Sequence, residues 1–489
     1  MNQHGLGNMP AKTSDTGFQA GKLSGSIGVV TLTFMVIAFA APLTVAAADV
    51  PIGALVGNGN GLPAMFLVAM MLLSLFTVGF VAMTPHVKHP GAFYSYIREA
   101  LGRPMGVGSG LLALTAYAMN LVGLVAFVGA SVANLLHQFG LPGSKWWVWA
   151  LAAIGVIAVL GYKRIDLSGK VLGSLLIAET AIMLLIDGAA IIRSGPDGYS
   201  TGIINPVAIL SGSPALGLMF ALLSFVGMES TAIYRDEVVD PIRCIPRATY
   251  MALGFIGFLY ALTSWSIVTA WGDSGFLARA TADPGTMFVA TAQVVAGKLV
   301  ADVTSVLIVT SAFAACLSLH NVVSRYQFSL ANSGVLPRAL GRVHSTHGSP
   351  AIASYVTTIW TLLTILGAAI LDLDPIVNVA TWTGGIAGVG VVILMTLTCV
   401  AVVVFFRVNR VDTRLWHTFV APGLGMIGLA AVVYLELKNF PLLMGGSTPL
   451  GVAAACMLAL AFVGGALWAF ARPSAGIVDD VGPESSPAD

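Results

Sequence analysis

Residues 218–250 read LMFALLSFVGMESTAIYRDEVVDPIRCIPRATY, and this stretch places a carboxylate inside a hydrophobic segment. The residues from Leu218 to Met228 are mostly apolar, and Glu229 follows them with more apolar residues behind it. A charged side chain at the centre of a membrane helix costs about 2.5–3.5 kcal/mol on insertion scales. A glutamate kept at this position therefore indicates a polar cavity or an interrupted helix around it.

The composition places the chain among integral membrane proteins. It has 489 residues, of which 57% are hydrophobic and 9% are charged, and its mean hydropathy is +0.89. Soluble domains carry roughly 25% charged residues, so a soluble protein of this composition would expose large apolar patches. We predict an all-α polytopic membrane protein surrounded by a lipid bilayer. The net charge of +1 and the lack of a basic motif argue against nucleic acid as a partner.

A membrane-spanning helix needs about 20 mostly apolar residues, and the sequence contains twelve such segments. Their approximate limits are 25–50, 61–84, 104–137, 145–162, 168–192, 211–234, 248–271, 286–320, 350–371, 375–406, 415–436 and 449–471. Most of the 23 Lys and Arg residues fall on one side, together with both termini. Because positive residues favour the cytoplasmic side, we predict a multi-pass plasma-membrane protein, of the bacterial inner membrane, with both termini cytoplasmic.

The loops indicate two halves of opposite orientation. An amphipathic stretch on the inside, TPHVKHPGAFYSYIREALGRP, follows the second span, and a comparable stretch on the outside, GDSGFLARATADPGT, follows the seventh. A shift of five spans reverses the side, as an inverted repeat of five plus five helices requires. The predicted units are the N-terminal tail 1–24, the first repeat 25–192, the second repeat with its connecting loop 193–406, two accessory helices 407–471 and the C-terminal tail 472–489.

In inverted-repeat transporters the first helix of each half is often discontinuous, and the substrate lies at the break. The first span contains Pro42, which removes a backbone donor from the helix interior. The sixth span, which is the first of the second half, contains Gly227 close to Glu229. We therefore predict a break in both helices. The alternative for Pro42 is a simple kink in a packed helix.

Three motifs resemble the amino acid–polyamine–organocation permeases, in particular the branch that contains the arginine/agmatine and polyamine exchangers. SFVGMES, with the later PIRCIPRAT, is similar to the sixth helix and following loop of that family. HPGAFYSYIREALGRPMG is similar to its first cytoplasmic loop, and RYQFSLANSGVLPRALGRVHSTHGSP is similar to the loop after its eighth helix. The three motifs occur in the order that the family has them.

The resemblance implies a fold of five plus five inverted-repeat helices with two added C-terminal helices. It also implies a secondary transporter that works by alternating access and holds a substrate amino group at the broken helices 1 and 6. Asn120 in the third span is a candidate for the cavity wall, and Trp382 in the tenth span is either cavity wall or packing. The predicted substrate-site residues are Ala38, Ala40, Ala41, Pro42, Thr44, Asn120, Ser224, Phe225, Gly227, Glu229 and Trp382.

The sequence departs from the family at two positions where substrate contacts are expected. In place of a Gly-Ser-Gly type of break the first helix reads AFAAPLT, and Pro42 offers no N–H to a substrate carboxylate. An amine substrate without a carboxylate therefore stays open. An aromatic gate residue of the exchangers is replaced by Leu223, and Phe225 is the aromatic residue that could close the site instead.

The acidic residues within the spans have a functional and a structural interpretation. Glu229 either faces the cavity, where it attracts an ammonium group or exchanges a proton, or it caps the broken helix or pairs with Arg235. Glu179, central in span 5, falls near a family lysine that occupies a cation site. It either binds a proton or Na⁺ there, or it is a protonated carboxyl bonded between helices. Asp187 lies nearer the outer end of span 5 and is expected at the membrane interface.

These observations predict a proton-coupled amino acid permease, with Na⁺ as the less favoured coupling ion and no cofactor. No basic residue lies at the centre of a span, so we expect a cationic or zwitterionic small substrate. The alternative is a permease or exchanger of polyamines or other organic amines. An enzyme within the membrane would need HExxH or paired aspartates, a channel would need a repeated selectivity loop, and the four cysteines form no metal motif. Whether the protein is a monomer or a homodimer stays open.

Overall fold

The computed structural model describes residues 27–87, 93–162, 169–232, 238–343 and 349–472. Within these ranges the regular structure is helical, apart from a single parallel bridge between Ile27 and Val238. The predicted N-terminal tail, and the predicted C-terminal tail after Arg472, lie outside the described residues.

The first span is a series of short helices instead of one long helix. α1 (Val29–Ala40) is followed by α2 (Pro42–Ala47) and α3 (Asp49–Gly53), and α4 (Leu62–Met83) forms the second span. The other helices are α5 (Phe93–Leu101), α6 (Arg103–Gln138), α7 (Trp146–Tyr162), α8 (Gly169–Ser194), α9 (Pro206–Ile209), α10 (Pro214–Leu223), α11 (Pro241–Ala282), α12 (Met287–Ala296), α13 (Lys298–Asn332), α14 (Ala351–Ile370), α15 (Thr381–Asn409), α16 (Ala421–Leu443), α17 (Thr448–Ala459) and α18 (Gly465–Ala471).

Ten helical segments of the described chain are long and apolar enough to cross a bilayer. The two remaining predicted spans are α7, which has 17 residues, and the sixth span, which begins with α10 and is then interrupted. The prediction of about twelve membrane helices is confirmed on this basis. α6 has 36 residues, so its length of about 54 Å exceeds the hydrocarbon core and requires tilt or extension into water.

The predicted eighth span, 286–320, is divided between two helices. α12 ends at Ala296, Gly297 has a φ of +89°, and α13 begins at Lys298. Glycine adopts this left-handed region without the steric penalty of a Cβ, so the chain turns there at little cost. The spanning helix is therefore α13, which continues to Asn332, past the predicted end.

The two halves of the chain share features that an inverted repeat produces. The first span of each half is interrupted, and a short helix follows the second span of each half, α5 in the first and α12 in the second. α6 packs against α13, α15 and α7, while α10 packs against α4, α15 and α16. The segment between α3 and α4 approaches α10 closely through glycine, because a Cβ on Gly57 would lie 2.6 Å from the Cα of Gly217.

Candidate functional site

The first span is interrupted at Ala41. This residue has φ and ψ of +45° and +68°, in the left-handed region, and its N–H donates to the carbonyl of Ala38. Pro42 follows at the first position of α2, where its fixed φ suits a helix start and its missing N–H breaks no helical bond. Pro42 therefore begins a new helix, and the predicted break is present.

The sixth span is interrupted after Leu223, where α10 ends. Helical structure resumes only as a short turn over Met228–Ala232. Between them Gly227 has a φ of +112°, and a Cβ on this residue would overlap the ring of Phe39 on α1. Glycine is therefore required for the two interrupted spans to touch, and the second predicted break is also present.

A cavity of about 60 Å³ lies between the two breaks. Space of this size holds a few water molecules, so an amino acid can enter only when the lining side chains move apart. The wall is built from the first span, α6, the sixth span and α13. The lining residues are Phe39, Ala40, Ala41, Thr44, Val45, Asp49, Asn120, Leu124, Leu223, Ser224, Val226, Ala315 and Leu319.

Five predicted site residues border this cavity, and they come from three different parts of the chain. They are Ala40, Ala41, Thr44, Asn120 and Ser224. The pattern of breaks thus located the cavity between the correct helices, while the binding role of these residues stays a prediction.

The other predicted site residues do not border the cavity. Phe225 is fully buried with its ring 5.9 Å from that of Tyr260, so it does not close the site in place of Leu223, which itself lines the cavity. Trp382 packs against the hydrophobic core, in agreement with its packing interpretation. The residues that shape the backbone at the two breaks without lining the cavity are Ala38, Pro42 and Gly227.

Glu229 also lies outside the cavity wall, contrary to the expectation that it faces the cavity. Its side chain is buried; Oε1 accepts a hydrogen bond from the Tyr117 hydroxyl at 2.5 Å, and Oε2 accepts one from the N–H of Gly227 at 2.9 Å. Both oxygens are therefore occupied, one of them by an amide that the break exposes. This geometry supports the capping interpretation. Arg235, the alternative partner, lies outside the described residues.

Tyrosine rings extend from Glu229 toward α5. The ring centres of Tyr117 and Tyr326 are 5.5 Å apart, and those of Tyr326 and Tyr94 are 6.1 Å apart. The hydroxyl of Tyr94 lies 2.9 Å from Oγ of Ser329. The rings fill the space between α5, α6 and α13, on the side of the molecule that the loop charges predict to be cytoplasmic.

Glu179 joins α8 to the break in the first span. Its carboxylate forms hydrogen bonds with the Ser311 hydroxyl and with the backbone of Leu43. Ser311 in turn accepts a hydrogen bond from Oγ1 of Thr44 at 3.0 Å. The carboxylate thus joins its own helix, α8, to the first span and to α13 without bordering the cavity. The described residues contain no group of three or more His, Cys, Asp or Glu side chains that could hold a metal ion.

Asp187, which was expected at the membrane interface near the outer end of span 5, is buried between helices of the protein. It is 1% exposed, and its two oxygens accept hydrogen bonds from Thr263 at 2.8 Å and from Ser266 at 2.5 Å. These hydroxyls belong to α11, so Asp187 fixes the contact between α8 and α11. The sequence could not show this contact, because the polar partners belong to a neighbouring helix.

Asp49 is a cavity residue that the sequence interpretation did not single out. It begins α3, borders the cavity, and its Oδ2 lies 2.9 Å from Oγ of Ser224. The available signal was an acid inside the apolar stretch VAAADVPIG, but the predicted span ended at residue 50, which made Asp49 a terminal residue. The break at Ala41 makes α3 a separate helix and brings the acid to the cavity.

The chain is similar to a known protein family over most of its length. The family model described as amino acid permease matches residues 31–440. The lysine-specific permease LysP of Escherichia coli is 26% identical over 358 residues, which cover 69% of this chain and 71% of LysP. The branched-chain amino acid permease BcaP of Bacillus subtilis is 24% identical over 406 residues, which cover 78% of this chain and 80% of BcaP.

A solved structure of the manganese transporter of Eremococcus coleocola has a similar fold. Its TM-score is 0.61, and the alignment covers 92% of this chain and 98% of that chain at 13% sequence identity. This similarity concerns the fold alone. The shared fold covers nearly the whole length of the chain.

Proposed function

The chain belongs to the amino acid permease family, and we propose that it is a secondary active transporter that moves its amino acid by alternating access and couples this movement to protons. The family match confirms the superfamily that the three motifs indicated. It makes the protein a multi-pass membrane permease and not an enzyme. The observation that carries the proposal is the cavity between the two interrupted spans, because a substrate held there contacts both halves of the molecule.

The cavity offers groups that suit a substrate amino group. α1 and α10 both end at it, so the carbonyl ends of two helices, where the macrodipole is negative, lie close to the bound molecule. Asn120 adds an amide, and Ser224 adds a hydroxyl. The described residues that line the cavity include no Lys, Arg or His, which favours cationic or zwitterionic substrates.

Glu179 is the candidate for the coupling site. It bonds to the backbone of Leu43, immediately after the first break, and to Ser311 on α13. Protonation would remove the negative charge that holds these hydrogen bonds, which would loosen the first span from α13. The alternative is a Na⁺ ion held by the same oxygens. Proton coupling and Na⁺ coupling differ in which ion gradient drives uptake.

An organic-amine permease is a second candidate, and one observation favours it. Pro42 has no N–H, and Glu179 already occupies the backbone of Leu43, so two positions after the break give no free amide to a substrate carboxylate. A diamine without a carboxylate would not need these amides. Both candidates retain the predicted orientation, with the positively charged loops and both termini in the cytoplasm.

Reconstituted protein in liposomes tests the coupling directly. Uptake of radiolabelled L-lysine, L-leucine and putrescine is measured with an imposed proton gradient and, separately, with a Na⁺ gradient. The proposal predicts that the proton gradient drives accumulation of an amino acid by the wild type. Glu179→Gln should lose this accumulation and keep exchange of internal for external substrate, because exchange needs no net proton movement.

Glu436→Gln is the matched control. Glu436 is a fully buried carboxylate on α16, it has no hydrogen-bond partner among the described residues, and it does not border the cavity. Proton-driven accumulation should survive this change. Accumulation by the Na⁺ gradient alone would overturn proton coupling, and uptake of putrescine alone would favour the organic-amine candidate.

A further inference from the structure

Asp49 is a cavity carboxylate without a charged partner. It takes part in none of the ion pairs of the described chain, and its hydrogen-bond neighbour is Ser224. Oγ of Ser224 lies 2.9 Å from Oδ2 of Asp49 and 2.8 Å from the carbonyl oxygen of Phe220. Because one hydroxyl carries one proton, it cannot donate to both acceptors at once. The carboxylate is therefore at best weakly compensated.

Two helix ends near Asp49 add negative potential, and the N-terminus of the short helix α3, where Asp49 itself lies, offsets only part of it. The C-terminal ends of α1 and α10 meet at the same cavity. The carbonyl of Ala40 at this end of α1 accepts a hydrogen bond from Tyr260 at 3.3 Å, a neutral donor. A buried carboxylate without a counter-charge is costly, and a cation that enters the cavity removes this cost.

The other two acids near the breaks are not available to a substrate in the same way. Both oxygens of Glu229 accept hydrogen bonds from Tyr117 and Gly227. Glu179 is bonded to Ser311 and to the backbone of a neighbouring helix, and it does not line the cavity. Asp49 is the one acid among the residues that border the cavity.

We propose that Asp49 determines substrate specificity by pairing with an ammonium group on the substrate side chain, so that the protein prefers cationic amino acids to neutral ones. This inference rests on the proposed transport function and names the substrate class of the same site. The side-chain amide of Asn120, which also borders the cavity, then remains for the rest of the molecule. The ammonium group could also belong to a diamine, and the experiment separates the two sources.

The test measures how L-lysine, cadaverine and L-leucine compete for uptake into proteoliposomes. Cadaverine is lysine without its carboxylate. Wild-type protein should take up lysine in preference to leucine. Asp49→Asn should lower the apparent affinity for lysine by about tenfold or more, since a charged hydrogen bond is lost, and should leave leucine unchanged or improved. Asp49→Glu should recover part of the lysine affinity because it restores the charge.

Asp302→Asn is the control variant. Asp302 is an acid on α13 that pairs with Lys298 at 2.7 Å and does not border the cavity, so the ratio of lysine to leucine uptake should not change. Folding of each variant is checked by size-exclusion chromatography and thermal unfolding. A folded Asp49→Asn protein that loses lysine and leucine uptake equally would show a structural role and overturn the inference.

The outcomes for the wild type separate the inference from the function on which it rests. Uptake of leucine with no preference for lysine would leave the amino acid permease intact and overturn the role of Asp49. Preference for cadaverine over lysine would keep the ammonium contact and assign it to an amine substrate without a carboxylate. No saturable uptake of any of the three would overturn both.

Discussion

Glu229 and Asp49 are acids at the same pair of helix breaks, but their surroundings differ. Glu229 receives one hydrogen bond from Tyr117 and one from the backbone of Gly227, so its carboxylate stabilises the interrupted sixth span. Asp49 faces a cavity and shares a single hydroxyl proton with a carbonyl. We therefore assign Glu229 to the local fold and propose the substrate contact for Asp49 alone.

The contact between Tyr117 and Glu229 leads to a prediction about stability. Tyr117→Phe removes a donor from a buried carboxylate, which should lower the free energy of unfolding by about 1–3 kcal/mol. Thermal unfolding of the purified variant in detergent measures the effect. Tyr355→Phe is the control, because Tyr355 is about half exposed on α14, and it should unfold at the wild-type temperature. Equal melting temperatures for wild type and Tyr117→Phe would contradict the stabilising role.

Individual side-chain contacts were harder to predict than the residue types involved. The sequence marked Glu229 as unusual because an acid within an apolar run is costly. It did not show which way the carboxylate points, because that depends on Tyr117, which is 112 residues away. The sequence did not single out Asp49 for a different reason. Its exposure to the cavity depends on a local feature, the chain interruption several residues earlier.

The interrupted spans follow from local chemistry that the sequence does reveal. Pro42 cannot continue a helix, and Gly227 tolerates a φ of +112°. Both breaks were therefore predictable from residue type and from the symmetry of the halves. The division of the predicted eighth span at Gly297 was not predicted, because the flanking residues are mostly apolar and one glycine among them is a weak signal.

Ala41 provides a test of the first break. A non-glycine residue in the left-handed region costs roughly 1–2 kcal/mol, while glycine costs about 0.5–1 kcal/mol in the entropy of the unfolded chain. Ala41→Gly should therefore unfold at the wild-type temperature or slightly above it. Ala41→Val should unfold well below it, because a β-branched side chain is disfavoured in this conformation.

The comparison of the two Ala41 variants uses thermal unfolding with the same detergent and protein concentration. If Ala41→Val were as stable as the wild type and Ala41→Gly less stable, the residue would be helical in the membrane. The first span would then be kinked and not interrupted.

The complete bundle explains why the cavity lies where it does. The first and sixth spans touch at their breaks because the lack of a side chain on Gly227 leaves room for the ring of Phe39. Gly57, between α3 and α4, likewise lets that segment approach Gly217 on α10. α6 and α13 close the other sides, and the hydrogen bond from Thr44 to Ser311 joins the first span to α13. The proposed substrate site, the helix interruptions and the proposed proton site therefore share the same elements.

Length and hydropathy were sufficient to predict most of this bundle, since each span must satisfy its own backbone within the membrane. They located the short span α7 almost to the residue, but they missed the division of the predicted eighth span at Gly297. The narrowness of the cavity could not be predicted either, because it depends on how side chains such as Leu124 and Leu319 pack from separate helices.

The most direct test of the central claim fills the cavity and measures transport. Ala315 lines the cavity from α13, and Ala315→Trp places a large ring in a space of about 60 Å³. Ala453→Trp, at an exposed position on α17, introduces the same side chain away from the cavity.

Exchange of a radiolabelled mixture of the proteinogenic amino acids is measured in proteoliposomes containing each folded variant. We predict that Ala315→Trp abolishes exchange and that Ala453→Trp retains it. Wild-type exchange by folded Ala315→Trp protein would contradict the account, because the substrate would then cross the membrane by another route.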